Sequence, residues 1–167
     1  MNTSHLTTAL LFVVMTAISS CSNDDIDDTK PVIDMTLETT FPQNCDTLYF
    51  GESFIFNAAF SDNNELGTTN AFSIDIHNNF NHHAHSTEVT ECELDPVKDP
   101  ENPFTFIAEY DIPEGKNYYE PMEQITIPDG DENGLYDEGD YHFFISLADK
   151  NGWTVQKGLS IKILRRE

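Results

Sequence analysis

Positive charge is scarce in this chain: eight Lys and Arg side chains stand against 30 Asp and Glu, a formal net charge of -22 across 167 residues. A phosphate backbone needs a basic footprint, so nucleic acid is excluded as a partner. The same surface keeps the chain soluble and concentrates cations around it. No apolar run approaches the roughly 20 residues that a membrane-spanning helix requires, and no segment of useful length carries a helical period. Also missing are a Gly-x-Ser-x-Gly elbow, a phosphate-binding loop, a dinucleotide glycine pattern and a cysteine with a credible base. The reading is therefore non-catalytic. What is present suffices for a core, since 38% hydrophobic and 11% aromatic residues exceed what a disordered acidic chain carries. The length allows one domain and a tether.

Residues 10–17, from Leu10 to Ala17, have the length of a signal-peptide core. They lead into Ile18-Ser19-Ser20-Cys21, a branched residue and two small ones before a cysteine, which resembles a bacterial lipobox. The resemblance implies cleavage before Cys21, acylation of that cysteine with chains such as palmitate, and a lipid tie to a membrane. The leader lacks the usual Lys or Arg, and an ordinary cleaved signal without lipid is the alternative. Residues 22–28, with Asp24, Asp25, Asp27 and Asp28, read as a solvated tether. Their acidity resembles the signal that sends some lipoproteins of Gram-negative bacteria to the outer face of the outer membrane. The expected organisation is a signal peptide at 1–20, an acidic tether at 21–30 and a folded domain at 31–167.

Export would carry the other two cysteines, Cys45 and Cys92, into an oxidising compartment, where they become natural disulfide partners; two buried free thiols are the alternative. Closing that loop stabilises the fold by about 4 kcal/mol on the chain-entropy account.

Period-two alternation predicts strands over 32–37, 48–50, 53–60, 71–80, 104–110, 140–147, 153–155 and 159–164. Phe54, Phe56, Ala58 and Phe60 share one face, as do Phe72, Ile74 and Ile76, and Tyr141, Phe143, Ile145 and Leu147. Pro96, Pro100 and Pro103 place 95–103 in a loop, and Asp149-Lys150-Asn151-Gly152 reads as a hairpin turn. Seven or so short strands in about 135 residues fit an all-β, immunoglobulin-like antiparallel β-sandwich.

The chain resembles the immunoglobulin-like lipoproteins of Bacteroidetes-type bacteria that are catalogued as a domain of unknown function. The resemblance rests on Lys30-Pro31-Val32-Ile33, on Gly51 with the strand to Phe60 and its Ser61-Asp62-Asn63 turn, on Asn79-Phe80-Asn81-His82-His83-Ala84-His85, and on the closing hairpin after Ala148. It implies a surface or periplasmic lipoprotein with a sandwich fold, and no activity.

Four of the six histidines, His77, His82, His83 and His85, fall within nine residues. Neutral imidazole is a common transition-metal ligand. His83 and His85 share a face if the segment is extended, with rings about 6 to 7 Å apart. His77, returning after the Asn78-Asn79 bend, or His82 is the third candidate, and His142 a more distant one that parity turns outward like His77. Asp75 points the same way. With the cysteines tied up and no methionine nearby, the set suits zinc or copper(II), then nickel or iron(II). The plain alternative is a polar loop whose histidines sit in water or sense pH.

Asp129, Asp131, Asn133, Leu135, Asp137 and Asp140 follow the spacing of an oxygen-ligand calcium loop, with Gly134 at the sharp turn. Position twelve is Asp instead of Glu and the flanks are strands, so a solvated acidic turn competes with the calcium reading. Partner readings that do not need the metal are an envelope protein or a glycan, bound through exposed Tyr118, Tyr119 and Trp153. A zinc hydrolase would need a base such as Glu88 or Glu91.

Overall fold

The computed structural model describes residues 27–167. The expectations for the signal peptide, for Cys21 and for the tether up to residue 26 lie outside the described residues.

Alternation becomes strand from the first apolar run onward. In chain order these are β1 (Val32–Asp34), β2 (Thr47–Tyr49), β3 (Ser53–Asn57), β4 (Ala59–Ser61), β5 (Phe72–Asn78) and β6 (Phe106–Tyr110). There follow β7 (Tyr118–Tyr119), β8 (Met122–Thr126), β9 (Gly130–Asp131), β10 (Gly134–Leu135), β11 (Gly139–Ala148) and β12 (Thr154–Leu164). No helix occurs among the described residues. One sheet has the order β2-β12-β11-β5-β6. The facing layer is built from β1-β4-β7 and β3-β8. β3 and β4 are two halves of one run, as are β7 and β8. Pro121 interrupts the second run, and a proline has no N–H for a ladder. Asn57 Nδ2, opposite the break, donates to the Pro121 carbonyl at 3.1 Å.

The fold is all-β with immunoglobulin-like strand order, and one pair departs from the expected antiparallel pattern: β2 runs parallel to β12. The core lies where the two layers meet. Phe56 stacks on Phe72 and Phe143 at ring distances of 6.3 and 5.7 Å, and Phe60 meets Phe72 at 5.1 Å. Each fully buried ring of this kind stabilises the fold by about 2 to 3 kcal/mol.

Inward parity on β5 and β11 fixes outward parity for the rest of those strands. With Ile74, Ile76, Tyr141 and Phe143 fully buried, Asp75, His77, His142 and Phe144 stand on the outer face. The register pairs His142 with His77 and Phe144 with Asp75. Over this face passes a long connection, residues 79–105, without a strand of its own. The expected bridge between Cys45 and Cys92 is present, with Cα atoms 5.3 Å apart, and it fastens the middle of that connection beside β2 and β12.

Candidate metal centre

The connection starts with a turn in which the His82 amide donates to the Asn79 carbonyl at 3.0 Å. His82 then takes φ +57°, a left-handed conformation that redirects the chain. Its ring leaves the other histidines: Nε2 bonds the Asp95 carbonyl at 2.9 Å and lies 3.8 Å from Asp140 Oδ2. The expectation that His82 joins a ligand set is thus corrected by one backbone reversal. His83 and His85 fall on the opposite side, folding back over β5 and β11, where their rings are 4.7 Å apart.

There they meet His77 and His142. The four rings pack at centroid distances between 4.7 and 5.8 Å. Nitrogens of His77, His83 and His85 lie within 4.8 Å of one another. His77 Nε2 and His85 Nδ1 are 3.3 Å apart. Two nitrogens on one tetrahedral zinc, each about 2.05 Å from it, are about 3.3 Å apart, so this pair already has the spacing of a shared ion.

Hydrogen bonds orient the lone pairs. His77 Nδ1 is 2.9 Å from Asp75 Oδ1; a carboxylate only accepts, so Nδ1 donates and Nε2 keeps its lone pair on the cluster side. His83 Nδ1 likewise donates to Asn81 Oδ1, which frees its Nε2. His142 Nε2 donates to the His83 carbonyl at 3.0 Å, which leaves His142 Nδ1 buried and without a partner. An orphaned ring nitrogen in a residue only 1% exposed is costly unless something binds it. Burial is also the main cause that pushes the His142 pKa down to about 4, against the bond to the His83 carbonyl, which raises it. Burial, then the neighbouring His85 and His77, lowers His83 as well. Both rings are therefore held in the neutral form that binds metal. Phe144 forms an apolar wall, stacked on His77 at 6.1 Å and edge-on to His85 at 5.6 Å.

The site opens on a cavity of about 420 Å³ lined by His83, His85, His142 and the acids Glu88 and Glu91. Glu88 is already engaged by Lys157 Nζ at 2.6 Å, so it is not a free base for hydrolysis.

Gly158 escaped the sequence reading. A Cβ there would lie 2.3 Å from the His85 carbonyl oxygen and 2.9 Å from the Phe144 ring, so the histidine segment rests directly on its backbone. The Thr87 amide donates to the Gly158 carbonyl at 2.9 Å, which holds it there. An isolated glycine inside an alternating strand was the available signal. Gly158→Ala is expected to lift His85, lowering zinc affinity at least about tenfold while the sandwich persists. Calorimetry with circular dichroism checks this, and unchanged affinity would show that the segment is not seated by this contact.

The calcium expectation is corrected. Asp131 and Gly134 are paired in the hairpin of β9 and β10. The place where a cation would sit is taken by the Asn102 side-chain amide, which donates to Asp131 Oδ1, Gly134 O and Leu135 O at 3.1 to 3.4 Å. Asn133 turns its amide onto Asp131, Asp137 Oδ2 accepts from the amides of Glu101 and Asn102, and the Asp129 carbonyl accepts from Tyr136. Asp140 is buried and lies 3.3 Å from Lys162 Nζ. Asn102 thus holds both Asp131 and Asp137 while Asp140 is drawn to Lys162, and these carboxylates form no group at ligand distance. Tyr118 and Trp153 are exposed and Tyr119 is half-buried.

The chain belongs to the family described as a domain of unknown function (DUF4625), whose profile matches residues 19–164. No curated protein matches it. Among solved structures, a crystal structure of an SrpA adhesin point mutant from Streptococcus sanguinis is similar at 15% identity and a TM-score of 0.40, covering 84% of this chain and 57% of that one. The chain thus spans little more than half the length of that structure.

Proposed function

We propose that this DUF4625 member is a cell-envelope lipoprotein that binds one transition-metal ion, Zn(II) or Cu(II), through His77, His83 and His85. The observation that carries the reading is the convergence of three imidazole nitrogens within 4.8 Å, one of them oriented by Asp75. To reach tetrahedral spacing, the outer nitrogens must close by at most about 1.5 Å, within the reach of side-chain rotation. Three ligands leave a fourth position, for which the orphaned His142 Nδ1 or a water is the candidate. The half-open cavity and the net charge of -22 favour capture of a cation from dilute solution. The lipobox-like Ile18-Ser19-Ser20-Cys21 supports an anchor at Cys21, and the acidic residues after it support display on the outer membrane.

Titration of the chelator-treated full chain with Zn(II) and Cu(II) is expected to give one ion per chain. Protons compete for the same lone pairs, so affinity falls with pH and is lost below about pH 5.5. The lowered pKa values of His83 and His142 shift their share of that competition to lower pH. Calorimetry that finds nothing tighter than millimolar for either ion rejects the reading.

A further inference from the structure

At the far end of β11 from the histidines, a second set of ligands converges that the metal centre does not use. From His142 to Asp149 is seven residues of extended chain, roughly 23 Å. Carboxylate oxygens of Asp27, Asp62 and Asp149 lie within 4.8 Å of one another. Asp62 directly follows β4, Asp149 directly follows β11, and Asp27 precedes β1. Asp149 is only 4% exposed; its Oδ1 accepts from the Trp153 amide at 2.8 Å, while Oδ2 is buried without a partner. Asp62 Oδ2 is buried and unpartnered too, its Oδ1 accepting from the Asn64 amide.

Among the described residues no Lys or Arg neutralises this group. Lys150, the nearest in sequence, is paired with Glu65 at 2.6 Å. Three carboxylates at this separation repel one another, and buried carboxylate oxygens without donors are destabilising. A bound cation would relieve both.

We propose that Asp27, Asp62 and Asp149 bind a hard divalent cation, calcium, which fastens the segment before β1 to the end of the sandwich. The donors are all oxygen, which calcium prefers and zinc or copper does not. Asn63 and Asn151 complete the set. Each now donates Nδ2 to the Asp27 carboxylate, at 3.2 and 2.8 Å, and a half-turn of either amide puts Oδ1 in the same place. With each carboxylate giving one or both oxygens, the set supplies five to eight donors, and water fills any place short of the six to eight that calcium takes. The Trp153 indole N–H donates to the Asp27 main-chain oxygen at 2.9 Å, so the same segment is already positioned by a contact that needs no ion. The expected tether is correspondingly shorter than 21–30, because Asp27 is bonded to the domain.

Trp153, the only tryptophan, stands beside the site as a sensitiser, so terbium(III) is the probe. Excited through tryptophan, the full chain is expected to show terbium emission that saturates at one ion per chain and is displaced by calcium. Asp149→Asn and Asp27→Asn should each weaken terbium at least about tenfold by removing one ligand charge, whereas His77→Ala should change nothing. Asp27 lies outside the sandwich core, so Asp27→Asn keeps the test valid if Asp149→Asn fails to fold. Absence of sensitised emission, or emission of equal affinity in Asp27→Asn, overturns the proposal. Loss in His77→Ala overturns it as well, since the ion would then sit at the histidines.

Discussion

Alanine at His77, His83 and His85 together is expected to lower zinc affinity by at least about a thousandfold. A four-ligand zinc site is worth about 10 to 16 kcal/mol, so each imidazole carries about 3 kcal/mol, or two decades. Single replacements should therefore cost about a hundredfold each, less where a water takes the vacant place. Asp75→Ala removes the acceptor that fixes the His77 tautomer and should cost about tenfold, the lower end for an outer partner, because Asp75 is half-exposed. His82→Ala should leave affinity unchanged, since its ring is turned to Asp95. None of these side chains belongs to the core, so the thermal midpoint of the metal-free protein should move by no more than a few degrees. Calorimetric titration of these variants checks the order. Equal affinities for His82→Ala and His83→Ala would break the assignment, because the structure separates these neighbours by a backbone reversal.

That separation shows where sequence reasoning stops. Alternation at Phe72, Ile74 and Ile76 was enough to turn His77 and Asp75 outward, and the same rule turned His142 outward on its own strand. Parity carries no information on which strands are neighbours. The pairing of His142 with His77 is a property of strand order, set by long-range packing, and it converts a distant candidate into part of the cluster. Which of His77 and His82 would join the pair was equally open, because it depends on the φ of one residue. The left-handed turn at His82 carries its ring away from the pair, and His77 lies beside it.

Two other differences have local causes. Asp129 to Asp140 closes as a tight hairpin through Glu132-Asn133, with Gly134 at φ +129° starting the return strand, inside letters that also spell a calcium loop. The hairpin prevails because Asn102, about thirty positions upstream, supplies the donor that a cation would have replaced. The pair β7 and β8 went unread because only Ile125 among Met122 to Thr126 is buried, so no alternation stands out. Conversely, the acids that do converge, Asp27, Asp62 and Asp149, are spread across the chain and have no motif.

Replacing Cys45 and Cys92 by alanine is expected to cost up to about 4 kcal/mol of unfolding free energy, from the chain entropy that a closed loop of 47 residues removes. The same change should reach the metal centre. The segment bearing His83 and His85 has no strand pairing and is tied down by few groups. Among these are the reciprocal bonds between Thr87 and Gly158, the His142 ring on the His83 carbonyl, the Glu88–Lys157 ion pair, Asn44 Nδ2 on the Thr90 carbonyl at 2.8 Å, and the bridge at Cys92. Without the bridge the segment samples open conformations, and binding must then order it. A segment closed only about a tenth of the time lowers apparent affinity about tenfold, with the intrinsic site unchanged. Saturating zinc should restore part of the lost stability, because the ion binds only the closed form. Urea unfolding with and without zinc, beside calorimetry, separates the effects. Lost stability with full affinity would mean that the non-covalent contacts of the segment keep the imidazoles together without the bridge.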